Sequence, residues 1–212
     1  MKKDKLRELS GAIGLLAAFT LWTALVSFVD VQPVGPRASD VGFATINGFF
    51  HTLTGVHMTL YHITDWLGLV SVAFGFGFAI LGLVQWIHRK HILKVDRSIL
   101  ILGAYYLVVL AAYLLFEEIV VNYRPVLIDG YLEASYPSST TLLVLCVMLT
   151  SVMQLNTRIR NAFLRNLVSK SIMLFVVLMV VGRLVSGVHW LTDIVGGILL
   201  GFGLVKLYRC AS

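Results

Sequence analysis

Apolar residues gather in six long runs along the chain, at about 11–29, 66–87, 99–116, 138–155, 168–185 and 189–206, with short polar stretches between them. Each run is long enough to cross a hydrocarbon core of about 30 Å as a helix, which takes roughly 17–25 residues. The pattern predicts six spanning helices, and six spans return both termini to the same side. The stretch 30–65 differs: Phe43, Ile46, Phe50 and Leu53 recur at roughly helical spacing among more polar residues. That spacing predicts one or two amphipathic helices lying in the outer interface. The short connections, with no Pro/Gly/Ser linker and no internal repeat, predict one all-α domain over 1–212. Gly75, Gly77, Gly82, Gly197 and Gly201 are read as sites of close helix approach. The basic head MKKDKLRELS resembles the start of a signal peptide. The apolar run after it is longer than a signal core, and no A-x-A-like site closes it, so it is read as a retained anchor.

Composition narrows the class. Of 212 residues, 58% are apolar and 13% charged, too little charge for a soluble domain of this size and too much apolar content for a disordered chain. Cys146 and Cys210 form no disulfide framework and match no metal-ligand spacing. The net charge of +6 would suggest nucleic acid in a soluble protein, but in a membrane protein it bears on orientation, and no nucleic-acid partner is expected. Lys2, Lys3, Lys5, Arg7, Arg89, Lys90, Lys94, Arg97, Arg158, Arg160, Arg165, Lys170, Lys206 and Arg209 fall on one side of the six-span topology. Only Arg37, Arg124 and Arg183 fall on the other. The bias predicts cytoplasmic termini, and the pattern fits a multi-pass protein of a bacterial-type plasma (inner) membrane.

The charges that break the bias point to chemistry. Arg37 reads as a surface charge, but Arg124 and Arg183 sit just beyond the ends of the third and fifth runs, where polar groups are expensive and functional by default. Their surroundings, EEIVVNYRPVLIDGYLEASYPSSTT and GRLVSGVHWLTD, face the same compartment and can converge there. His189 and Asp193 are four apart at the start of the sixth run; on a helix that spacing stacks them on one face, where a carboxylate can fix the imidazole tautomer. Two guanidinium forks beside one imidazole suit a tetrahedral oxyanion such as phosphate. Pro137-Ser138-Ser139-Thr140 opens the fourth run. It reads either as a helix start with an ordinary cap or as an anion site made by exposed N–H groups and hydroxyls. Tyr123 reads as an interface anchor or a substrate contact.

These segments resemble the type-2 phosphatidic-acid phosphatase superfamily, which includes bacterial lipid phosphate phosphatases and undecaprenyl pyrophosphate phosphatases. Its three motifs, Lys-x6-Arg-Pro, Pro-Ser-Gly-His and Ser-Arg-x5-His-x3-Asp, are matched here by Glu117-x6-Arg124-Pro125, Pro137-Ser138-Ser139-Thr140 and Gly182-Arg183-x5-His189-x3-Asp193. The resemblance implies a six-helix membrane fold with His189 as nucleophile, forming a phosphohistidine, and Asp193 orienting it. It further implies that Arg124, Arg183, Ser138, Ser139 and Thr140 cradle the phosphoryl group, with no metal or cofactor. The site would open on the extracytoplasmic side, where lipid phosphate or pyrophosphate substrates enter from the surrounding membrane lipids.

Two positions depart from the motifs. Glu117 stands where the family has lysine, and Thr140 where it has the histidine that protonates the leaving group. Loss of such an acid typically costs about 10²–10⁴ in rate, and less when the leaving group is itself a phosphate ester. An isoprenoid pyrophosphate is therefore expected over phosphatidic acid. Glu117, if protonated in a partly buried site, is a possible proton donor; Glu118, Glu133, His51, His57 and His62 are further outer-face candidates. The alternative reading is a catalytically impaired member that binds lipid phosphates as carrier, sensor or subunit. A third is a helical membrane protein whose arginines anchor at headgroup level.

Overall fold

The computed structural model describes residues 2–212; of the basic residues counted above, the side chain of Lys2 lies outside it. The helices are α1 (Lys2–Phe28), α2 (Ala44–Thr54), α3 (Met58–Arg89), α4 (Arg97–Glu118), α5 (Ser139–Arg158), α6 (Ala162–Val185) and α7 (Leu191–Ala211), with short 3₁₀ turns at Pro36–Ala38 and Ile92–Lys94. Among the described residues, six of these, all but α2, are long and apolar enough to cross a membrane. The architecture is all-α.

The helices overrun the apolar runs, α1 by nine residues at its start and α3 by eight. A hydrocarbon-length run marks only the part of a helix in contact with lipid tails. Backbone hydrogen bonding continues through the polar headgroup layer, where hydropathy gives no signal. The overrun of α3 also absorbs residues 58–65 of the stretch assigned to interface helices, leaving α2 as the amphipathic helix there. On α2 the apolar Ile46, Phe49 and Leu53 point away from the protein, while Ala44 and Asn47 are buried against it.

α5 and α7 form the centre. About half of their hydrophobic windows is buried, 56% and 50%, against 17–28% for the other spans. Leu142 and Cys146 of α5 meet Leu200, Leu204 and Tyr208 of α7, with Leu102, Tyr105 and Val109 of α4 and Phe19 and Val26 of α1 closing one core. Val144, Leu145 and Met148 form a second core with Ile172, Val176 and Met179 of α6. Two glycines set the α5–α7 spacing: a Cβ at Gly197 would lie 3.1 Å from the Ser138 carbonyl oxygen, and one at Gly201 3.0 Å from Leu145 Cβ. Gly77, by contrast, faces open space, so its small size is not used for packing. The outward faces carry Ile13, Leu21, Ile80, Leu107, Leu114, Leu174 and Leu178, all more than half exposed, an arrangement that suits lipid rather than water.

The two longest connections, the α1–α2–α3 link and residues 119–138 between α4 and α5, lie at one end of the bundle with the tight 186–190 turn between α6 and α7. Residues 119–138 fold back on themselves as a hairpin, with Arg124 N–H donating to the Glu133 carbonyl at 3.0 Å and Ser135 N–H to that of Asn122 at 2.9 Å. Arg37 donates to the Gly130 carbonyl at 3.1 Å, a surface tie to the hairpin tip. The hairpin and the 186–190 turn together deliver the polar residues over α7.

Candidate active site

α7 begins at Leu191, with Trp190 as its N-cap, so His189 precedes the helix and does not stack on Asp193 along one helical face. The i,i+4 spacing works differently. Asp193 sits at the third position of the helix and accepts from Trp190 N–H at 2.9 Å, which satisfies one free donor of the helix start. This bond fixes the carboxylate beneath the turn that carries His189. The His189 Nδ1 to Asp193 Oδ2 distance is 3.9 Å, beyond hydrogen-bond reach, and the hydroxyl of Ser135 fills the gap. Its Oγ lies 3.0 Å from His189 Nδ1 and donates to Asp193 Oδ2 at 2.5 Å. Asn122 donates to the other carboxylate oxygen at 3.3 Å.

The opposite nitrogen, His189 Nε2, lies 3.3 Å from Arg124 Nη1 and 3.2 Å from Arg183 Nη2. Both arginines are buried, Arg183 to 1% exposure. The Tyr61 ring lies under both guanidiniums, 4.9 Å from Arg183 and 5.8 Å from Arg124, a cation–π floor for charge held out of water. Arg183 Nη1 donates to Thr64 Oγ1 at 3.4 Å and faces Asp65 at 3.6 Å; Arg124 Nε pairs with Glu133 at 3.0 Å. Arg183 Nε is buried with no hydrogen-bond partner among the described residues. Donors outnumber acceptors here, which favours an incoming anion with several oxygens. Burial, Arg124 and Arg183 all disfavour a charged imidazole and hold His189 well below its usual value near 6.5. The ring is neutral at pH 7.

The remaining sequence candidates fall around this centre. Ser138 is fully buried and caps α5, its Oγ accepting from Thr141 N–H at 3.4 Å, while its own N–H donates to the Asp193 carbonyl at 3.0 Å. Its hydroxyl is thus used as a cap. Thr140 packs toward α3, its Cγ2 3.5 Å from where a Cβ of Gly68 would stand. Glu117 is exposed and borders a narrow recess with Tyr113, Ser135, Pro137 and Ser139; no ion pair joins it to Arg124 or Arg183 among the described residues. His51 tilts on Trp190 at 5.4 Å, His62 on Tyr61 at 5.1 Å, and His57 bonds the Thr54 carbonyl. The Tyr123 carbonyl accepts from Trp190 Nε1 at 2.7 Å. Among the described residues no group of three or more His, Cys, Asp or Glu is placed to hold a metal.

Below the site, toward the middle of the bundle, lies a groove of about 540 Å³ between α3, α4 and α5. Val72, Phe76, Tyr106, Leu110 and Leu143 line it, and Ser139 and Thr140 stand at its site end. Sequence reasoning missed Ser135, Asn122, Tyr61 and Asp65. Ser135 stood inside a segment already singled out, but nothing in its spacing distinguished it from its neighbours.

A family model described as the PAP2 superfamily matches residues 85–212. The structure is similar to that described as "Crystal structure of the first transmembrane PAP2 type phosphatidylglycerolphosphate phosphatase from Bacillus subtilis", with a TM-score of 0.55 and 18% identity, covering 93% of this chain and 94% of that one. At that identity the likeness concerns the fold. No curated protein sequence matches the chain.

Proposed function

The chain belongs to the PAP2 superfamily, and from that premise we propose that it hydrolyses a lipid phosphate or isoprenoid pyrophosphate on the extracytoplasmic side of a plasma membrane, through a phosphohistidine on His189. The observation that carries this reading is the placement of His189, its Nε2 held between two buried guanidiniums. In the proposed reaction a phosphoryl group takes that position and its oxygens draw Arg124 and Arg183 onto themselves. The Nε2 lone pair bonds to phosphorus, and the bond to the leaving oxygen breaks with its electron pair and takes up a proton. Water then attacks phosphorus, the P–N bond breaks, and inorganic phosphate leaves. The arginines offset charge on the transferring oxygens, a role worth about 10²–10³ in rate per donor in comparable oxyanion sites. The start of α5 contributes the backbone N–H groups of Ser139 and Thr140, that of Ser138 being held by the Asp193 carbonyl.

The apolar groove favours a lipid over a small phosphate, because its lining is almost wholly apolar and Ser139 and Thr140 stand at one end of it. The leaving-group argument favours a pyrophosphate, since no acidic group stands at Thr140. Glu117, on the recess beside Ser139, is the candidate carboxyl on that side of the site. If it delivers the proton, Glu117→Gln slows turnover without weakening binding of a phosphate analogue; unchanged turnover removes it from the mechanism. The second reading, a lipid-phosphate carrier or sensor, is favoured by the same Thr140, which turns toward Gly68 and supplies no acid.

The test is phosphate release by purified protein in detergent from undecaprenyl pyrophosphate, phosphatidic acid and phosphatidylglycerolphosphate, with His189→Ala as control. Release abolished by the substitution supports the phosphatase. No release across pH 5–9 from folded protein transfers the case to the binding reading, and release surviving in His189→Ala removes His189 as nucleophile.

A further inference from the structure

Resting on the reading of His189 as nucleophile, we infer that Ser135 is the positioning residue through which Asp193 acts. The hydroxyl accepts from His189 Nδ1–H and donates to the Asp193 carboxylate, and it replaces the direct histidine–aspartate contact.

The direction of the chain follows from its far end. His189 Nε2 faces Nη1 of Arg124 at 3.3 Å and Nη2 of Arg183 at 3.2 Å. A guanidinium has donors and no acceptor, so a proton on Nε2 would meet two further donors. Nε2 therefore presents its lone pair and the proton sits on Nδ1. Ser135 Oγ, 3.0 Å from Nδ1, then accepts, beside a backbone bond of Ser135 that also favours a proton on the ring, and the hydroxyl proton is left for Asp193 Oδ2 at 2.5 Å. Among the described residues the hydroxyl has no other hydrogen-bond partner. Ser135 is 3% exposed, and its backbone is pinned by the Asn122 carbonyl at 2.9 Å. Asp193 cannot substitute at 3.9 Å.

Two consequences bear on the reaction. The chain keeps the attacking nitrogen free of its proton before substrate arrives. When Nε2 bonds to phosphorus and the leaving oxygen departs with the electron pair of the broken bond, the ring gains positive charge. Nδ1–H keeps its proton and its hydrogen bond tightens toward the buried carboxylate. Partners one step removed from a reacting or ligating histidine are worth about 10–100-fold where they have been altered.

The experiment has a readout that needs no turnover. In wild-type protein with ¹⁵N-labelled histidine, NMR assigns the His189 tautomer, the resonance being identified by its loss in His189→Asn. The Nδ1–H form is expected; the Nε2–H form overturns the inference. In Ser135→Ala the arginines still keep the proton on Nδ1, so the Nδ1–H form is expected to persist with its resonance shifted by loss of the hydroxyl acceptor, with kcat down about 10–100-fold and the orthovanadate Kd within about threefold of wild type. Ser135→Thr, which keeps the hydroxyl, is expected to recover most of kcat. A kcat for Ser135→Ala within threefold of wild type, or a loss of orthovanadate affinity that parallels the loss of kcat, overturns it. Wild-type protein that releases no phosphate from any lipid defeats the phosphatase reading instead, and the tautomer together with the shift of the Nδ1–H resonance in Ser135→Ala still decides for or against Ser135.

Discussion

Replacing Gly187 with alanine tests whether the α6–α7 turn places His189, the proposed nucleophile. Gly187 has φ +68°, and a Cβ there would stand 1.8 Å from the Gly55 carbonyl oxygen and 3.2 Å from Val56 Cα. The left-handed conformation alone costs a non-glycine residue about 1–2 kcal/mol. The contact is the larger effect. Real Cβ atoms essentially never come closer than 3.0 Å, so the turn and the α2–α3 link must separate by about 1.2 Å. That link is held to the turn by His57 N–H donating to the Ser186 carbonyl at 2.9 Å, so the two segments cannot part without loss of the bond.

His189 lies two residues along the same turn. A shift near 1 Å carries Nε2 away from at least one guanidinium, and misplacement on that scale costs about 10²-fold in rate. The expected result for Gly187→Ala is kcat/KM reduced about 100-fold and a lower melting temperature. Gly55→Ala is the comparison: it strains the same link, at φ +67°, but its Cβ meets only His57 Nε2 at 3.9 Å. Phosphate release and thermal unfolding in detergent read both variants. Wild-type kcat/KM in Gly187→Ala would refute the claim that this turn sets the nucleophile.

Three further outcomes are expected. Because burial and both arginines lower the His189 pKa, the ring should stay neutral as pH falls through 6.5 and take up a proton only below that; ¹⁵N titration showing a midpoint at 6.5 or above contradicts the electrostatics. In stability terms the unfolded chain binds that proton first, so His189 lowers stability progressively as pH drops below about 6.5. Glu133→Gln removes a half-exposed partner of Arg124 that competes with a bound anion, and should tighten orthovanadate binding up to about fivefold, since exposed pairs are worth about 0.2–1 kcal/mol; weaker binding would mean that Glu133 organises the arginine instead. Asn47→Ala removes a fully buried amide that bonds the Gly42 carbonyl, Thr192 Oγ1 and Thr192 N–H. It should cost about 1–3 kcal/mol for the groups left unpaired, read as a fall in melting temperature, and an unchanged melting temperature would show that the network is dispensable.

The parts legible in the sequence were those written in one dimension. Hydropathy located every spanning helix, and the spacing from Arg183 through His189 to Asp193 marked residues that a single turn does gather. What stayed hidden depends on contacts between distant segments. Ser135 reaches His189 because a hairpin folds back over the start of α7, and no periodicity in 119–138 encodes that fold. Asp65 and Tyr61 lay hidden in the stretch assigned to an interface helix, because α3 continues past its apolar run into the headgroup layer. Asp193 sits near His189 by a geometry the spacing did not suggest: it caps α7, and the Ser135 hydroxyl stands between the two side chains.

The two departures from the family motifs lie on α4 and α5, whereas the proposed nucleophile and its supports come from the α6–α7 turn and the hairpin. They do not share a cavity: Glu117 borders the recess with Ser139, and Thr140 lines the groove toward α3. Groups sharing a cavity couple energetically, by about 0.5–3 kcal/mol, whereas well-separated sites add. Restoring the family residues in Glu117→Lys, Thr140→His and the double variant measures that coupling. Thr140→His should raise monoester cleavage more than pyrophosphate cleavage, because only the poorer leaving group needs the acid. The double variant should equal the product of the two single effects, since the side chains at 117 and 140 face different cavities. A double variant well above or below that product, on either substrate, would show that the two positions act together.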